Sequence, residues 1–212
     1  MGRGGAAATR TVTGAVRRRL PRLAAVAATV AVGAALVASP PSAKADDAAA
    51  FDPVTGYRIA RYRAPVHEPP PGATRVTIDG LDALVASDGA RLVDVMPAEG
   101  ASVDPETGAW RLLKARDNIP GSVWLPEVGR GTLSAELERY LARGLDEVTG
   151  GDRSRPLVVY CQSDCWMAWN ALRRAAALGY RRLYWYAEGV DGWRDHDRPF
   201  APAVPVPMRP GD

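Results

Sequence analysis

The chain has 212 residues, with 27 Lys and Arg against 24 Asp and Glu, for a net charge of +3. Residues 1–45 hold seven of those basic residues and no acid, so the remaining 167 residues carry 20 bases against 24 acids, a net charge of −4. That balance leaves no basic patch to argue for a nucleic-acid partner, while 167 residues suffice for one domain with a buried core.

The N-terminal stretch has the layout of an export signal. Arg3, Arg10, Arg17, Arg18, Arg19 and Arg22 precede an apolar run from Leu23 to Ala38, and Ala43-Lys44-Ala45 supplies a small-x-small cleavage pattern. The run is short for a membrane span, which needs about 20 residues, and Pro40-Pro41 closes it. Residues 1–45 are therefore expected to be a signal peptide cleaved after Ala45, with no membrane span in the mature chain. An uncleaved N-terminal anchor is the alternative.

Residues 46–73 read as an irregular extension, with turn chemistry at Asp52-Pro53-Val54-Thr55-Gly56 and a stiff Pro69-Pro70-Pro71-Gly72 segment. From residue 74 the pattern alternates strand and helix. Arg75 to Ile78 is a short strand, Leu81 to Ala86 a short helix, and Arg91 to Val95 a buried strand. A long insertion from Met96 to Asn118 carries one apolar patch, Trp110, Leu112 and Leu113, and Ile119 to Pro126 is a turn entering a strand. Thr132 is the expected cap of a helix with Leu133, Leu137, Leu141, Leu145 and Val148 on its apolar face. Arg182 to Tyr186 is a last strand, and residues 200–212 form a Pro-rich tail expected to be loosely ordered. Strands separated by helices predict an α/β fold, a mostly parallel sheet covered on both faces.

The chemistry is expected between Leu157 and Tyr180. Leu157-Val158-Val159-Tyr160 is a buried strand, Cys161 to Trp166 a six-residue turn, and the helix after it runs through Ala168, Leu172 and Ala175 until Gly179. Both cysteines of the chain lie in that turn. A thiol at a strand end feeding a helix N-terminus is favoured as thiolate by free N–H groups and the helix dipole. Open α/β sheets also place ligands at the carboxyl ends of their strands.

The order of these pieces resembles the rhodanese family. Leu92-Val93-Asp94-Val95, Asn118-Ile119-Pro120-Gly121-Ser122-Val123, Val158-Val159-Tyr160-Cys161, and Gly179-Tyr180 with Glu188-Gly189 and Trp193 carry the resemblance, over residues 74–199. A narrower group is also similar: exported rhodanese-like CxxCW-motif proteins associated with pyrroloquinoline quinone (PQQ)-dependent catabolism. Residues 53–59 and 62–65, Ile119 to Pro126, and Cys165-Trp166-Met167 through Trp169-Asn170 carry that likeness, although three residues rather than two separate the cysteines. The resemblance implies a rhodanese-like fold and a periplasmic accessory role near quinoprotein alcohol oxidation. It does not imply that PQQ is bound, and no cofactor is expected. The expected partners are a small sulfur or thiol substrate, or a periplasmic quinoprotein.

In rhodaneses the loop cysteine accepts a sulfane sulfur, and Cys161 matches that position. Asp164 stands where the family loop often has Gly and Trp166 where it often has Arg. An acid inside an anion cradle repels a thiolate and an anionic donor alike, which argues against thiosulfate. Cys161 is therefore the expected nucleophile and Cys165 its resolving partner. The backbone N–H groups from Gln162 to Cys165 form the expected cradle, with Gln162, Ser163, Asp164 and Trp166 as substrate contacts and Asp94 behind them. Against this stand plainer readings: a buried strand-end thiol, a static Cys161–Cys165 disulfide that only stiffens the loop, and Trp166 and Trp169 as core. The two histidines, His67 and His196, are far apart in sequence, and no metal site is expected from them.

Overall fold

The computed structural model describes residue 14, residues 48–209 and residues 211–212. The expected signal and its cleavage point lie outside the described stretch. The described fold belongs to one unit, Pro41–Asp212.

The apolar run Leu157–Tyr160 forms the middle strand, β7, and every one of its residues is buried. Five strands build the central sheet in the order β1-β8-β7-β2-β6, where β1 is Ala73–Val76, β2 Arg91–Asp94, β6 Val123–Trp124 and β8 Leu183–Tyr186. All four pairings are parallel, with Val93 and Trp185 flanking Val159 on either side. A strand buried on both faces reads as a continuous apolar run.

Parallel strands need crossover helices, and the described residues form four helices. Helix α1 is Ile78–Asp88, α2 Ala135–Thr149, α3 Trp166–Ala177 and α4 Gly189–Asp195. Side chains alternate along β7. Leu157 and Val159 pack with Tyr140, Leu141, Leu145 and Leu172 of α2 and α3, whereas Val158 and Tyr160 pack with Ile78, Leu81, Val190 and Trp193 of α1 and α4. The expected α/β architecture, helices on both faces of a parallel sheet, is the one found.

Boundaries differ in instructive places. Helix α1 begins at Ile78 because Thr77 caps it through the Gly80 N–H, so the strand ends earlier, at Val76. Ser134, not Thr132, caps α2 by accepting the Leu137 N–H at 3.3 Å. Leu133 thus lies outside the helix, which opens instead with Glu136 and Glu138 near its positive end.

The Pro-rich tail is bound rather than loose. Strand β9, Ala201–Pro202, pairs antiparallel with β5, Asp117–Asn118. Further on, the Val206 N–H donates to Trp124 and the Met208 N–H to Gly108. The Val206 carbonyl accepts from both the Tyr140 hydroxyl and the Trp110 indole. Proline lacks a donor but its neighbours do not, and here they cover the otherwise open edge at β6. The insertion before β5 folds back as a two-stranded hairpin, β3 (Ser102–Val103) with β4 (Trp110–Arg111).

Candidate functional site

The turn at the carboxyl end of β7 is closed by a disulfide between Cys161 and Cys165, whose Cα atoms lie 6.2 Å apart. Both residues are buried, Cys161 at 1% exposure and Cys165 at 3%. Cys165 is the N-cap of α3. Asp164 takes a left-handed conformation, φ 52°, which lets the turn fold back within four residues.

Two neighbours hold this turn from opposite sides. From α4, the Val190 N–H donates to the Cys161 carbonyl at 3.1 Å, and Gly189 approaches so closely that a Cβ there would stand 2.4 Å from that oxygen. The Ser163 N–H donates to the Asp191 carboxylate at 3.1 Å, and the Ser163 hydroxyl to the Glu188 carbonyl at 3.0 Å. One donor of the expected cradle is thereby already occupied by an acid of the protein itself.

From the other side comes the N-terminal extension. Arg63 stands opposite Cys165 in an antiparallel bridge, the Ala64 N–H donates to Asp164, and the Trp166 N–H donates to Tyr62 at 2.9 Å. The first free donor of α3 is thus capped by a carbonyl about a hundred residues away in sequence. Asn170, fully buried on α3, anchors the same segment. Its side chain accepts the Arg58 N–H at 3.0 Å and donates to the carbonyls of Arg58 at 2.8 Å and Gly129 at 2.9 Å. Arg58 itself is buried, with its guanidinium 4.4 Å from the centre of the Trp166 ring and its Nε donating to the carbonyls of Ala60 and Arg61.

Between extension and turn lies an open cleft of about 880 Å³. Its walls include Tyr62, Trp166 and Trp169, its rim Arg61, Arg63 and His67, and its floor reaches Cys165. Gln162 and Trp166 line it as well, so the structure brings these two together with Cys165. Ser163 and Asp164 line a separate small pocket of about 130 Å³ with Arg75 and Glu188. Cys161 lines neither of these two.

The tryptophans belong to this cleft. Trp169 is half-buried, packing against the core while lining the cleft, and its indole donates to the Glu68 carbonyl at 3.2 Å. Trp166 is packed between Arg58 and Phe51, and its indole N–H is buried without a partner among the described residues. Asp94 is fully buried at the end of β2, where burial pushes its carboxyl up against the opposing pull of Arg116. It accepts from Arg116 at 2.5 Å and from the Met96 N–H at 2.9 Å, so it fixes the start and end of the insertion rather than the cysteine turn. Among the described residues no group of three or more His, Cys, Asp or Glu is placed to hold a metal ion.

The sequence reading missed the extension as a wall of the site, along with Arg58, Arg61, Arg63 and the anchor Asn170. The one visible signal was Asn170 itself, an amide between apolar neighbours on an otherwise buried helix face.

No curated protein sequence matches the chain. Among solved structures, a variant of EanB in complex with ergothioneine is 21% identical with a TM-score of 0.44, covering 62% of this chain. The chain spans about a third of that protein's length, 32%. A polysulfide-sulfur transferase homodimer from Wolinella succinogenes is 18% identical with a TM-score of 0.39, covering 61% of this chain and 79% of its own. A full-length protein from Lactobacillus plantarum is 20% identical with a TM-score of 0.41, covering 60% and 87%. The model of the rhodanese-like domain matches residues 77–196, more than half of the chain and the whole segment from α1 through α4, so the chain belongs to the rhodanese-like family.

Proposed function

We propose that this is an exported rhodanese-like protein working through Cys161 and Cys165, by sulfur transfer or thiol–disulfide exchange, as an accessory to PQQ-dependent alcohol catabolism in the periplasm. The observation that carries the reading is the disulfide joining the family's loop cysteine to a second cysteine on the floor of an open cleft. A resolved pair favours exchange over a stable persulfide. An incoming thiolate forms a bond to one sulfur while the Cys161–Cys165 bond breaks, its electron pair leaving on the other sulfur as thiolate. A second thiolate then releases the substrate as its own disulfide, so two substrate thiols are oxidised and the protein pair is reduced. The periplasmic setting and a quinoprotein partner rest on the resemblance of the extension and the Cys165-Trp166 segment.

The alternative is an accessory binding module whose disulfide is a clip, and the burial of both cysteine residues favours it. The two readings part on single variants. Exchange predicts that Cys161→Ser abolishes activity while the fold survives. A clip predicts that Cys161→Ser and Cys165→Ser behave alike, each losing about 2 kcal/mol, the loop-closure value for so short a ring. The first measurement is peptide mass spectrometry of the protein from its export compartment, with thiols trapped at lysis. A mixture of dithiol and disulfide, or Cys161 one sulfur heavier, supports the proposal. Uniform disulfide resistant to mild reductant in the folded protein overturns it.

A further inference from the structure

From the cleft we infer that the attacking thiol enters at Cys165 rather than at the family's loop cysteine, and that the cleft selects small thiols carrying a carboxylate. This rests on the thiol-exchange reading above. Two observations carry it.

The first is access. The cleft reaches Cys165 and not Cys161, which sits behind it beneath the Val190 and Gly189 backbone. Exchange depends on which sulfur can be approached, and the attacking sulfur must come in line with the bond it breaks. Attack from the cleft therefore forms a substrate–Cys165 bond and expels Cys161 as thiolate.

The second is the character of the walls. Arg61 and Arg63 are exposed on the rim, Arg63 directly across the bridge from Cys165. Arg61 is held in a left-handed conformation, φ 47°, by a turn whose carbonyls accept from Arg58. Of the acids in the cleft, Glu99 pairs with Arg130 across its edge, which leaves Glu68 against the rim arginines. Tyr62 and Trp169 supply flat apolar sides. A volume of about 880 Å³ suits a small organic molecule. The chemistry that fits is a carboxylate at the arginine rim with a thiol a few bonds away.

The test uses the oxidised full-length protein and three small thiols, mercaptopropionate, mercaptoethanol and cysteamine, compared at equal thiolate concentration. Rapid acid quench followed by alkylation and fragment mass spectrometry locates the adduct. The expected result is the mixed disulfide on Cys165 with Cys161 alkylated. At low salt mercaptopropionate should react on the order of tenfold faster than cysteamine, the lower end of what steering by charge delivers. That preference should vanish in the Arg61→Gln/Arg63→Gln double variant and at high salt. An adduct on Cys161 overturns the assignment of Cys165 while leaving exchange standing. Equal rates for the three thiols overturn the carboxylate preference. Failure of every thiol to open the disulfide while the protein remains folded removes the exchange reading, and this inference with it.

Discussion

Replacing Asn170 with Ala should undock the extension without unfolding the sheet. The Asn170 amide makes three buried hydrogen bonds, two to the backbone of Arg58 and one to Gly129. Removing it leaves one N–H and two carbonyls without that partner, in a place where Asn170 is fully buried. At about 1 kcal/mol or slightly more for each bond, the change costs about 3–4 kcal/mol. The two bonds to Arg58, roughly 2–3 kcal/mol of that loss, hold the extension, so that share falls on the docking of residues 48–66. With about 1.4 kcal/mol per factor of ten, the open state of that segment rises by roughly two orders of magnitude. Limited trypsin digestion reads this directly, since Arg58, Arg61 and Arg63 all lie in the segment. The expected outcome is cleavage there about a hundredfold faster, with the near-ultraviolet signature of the sheet tryptophans unchanged. Cleavage at the wild-type rate would refute the assignment of Asn170 as the anchor.

Asp94→Ala leaves the Arg116 guanidinium, only 17% exposed, without its carboxylate, and should cost about 3–5 kcal/mol in urea unfolding. Asp94→Asn should cost less, because it keeps the acceptor for the Met96 N–H. Gly189→Ala combines a left-handed φ of 53° with a Cβ 2.4 Å from the Cys161 carbonyl. It should lose about 2 kcal/mol or more and shift the Cys161–Cys165 reduction midpoint, read by thiol titration against a redox buffer. In the β3–β4 hairpin, the N–H groups of Thr107 and Glu106 and the Arg111 side chain hold the Asp104 carboxyl down at about 2. Because the folded value lies below the ordinary one of 3.8, that contribution is present above about pH 4 and lost as pH falls through about 2. The Thr107 amide resonance should follow that titration, and should stay fixed over the same range in Asp104→Asn.

The middle of the molecule was legible because its signals are local. Leu157–Tyr160 is apolar at every position, the turn carries both cysteines, and α3 repeats its small apolar residues at helical spacing. The cap of α2 was misplaced by two residues because Thr132 and Ser134 are both good caps, and Leu133 between them looks like the first apolar position. The extension left no comparable trace. It binds the turn through backbone atoms, the Tyr62 carbonyl and the Ala64 N–H, and any sequence could supply those. Arg58 gave no warning either, since an arginine reads as surface until an indole ring and two carbonyls are brought around it. The same blindness hid the cleft side of Trp169, which packs against the core and lines the cleft as well.

The wall that faces Cys165 comes from residues 58–69, whereas the family segment begins at residue 77. On the proposed chemistry, part of what selects the substrate therefore lies outside the family segment, on a stretch whose side chains can vary without touching the cysteine turn. A domain trimmed to the family boundary would keep both cysteines and four of the five sheet strands, losing β1 and, on the proposed chemistry, the arginine rim of the cleft. Conversely, grafting another protein's residues 48–70 onto this sheet would rewrite what reaches the disulfide without altering a single residue of the turn that holds it.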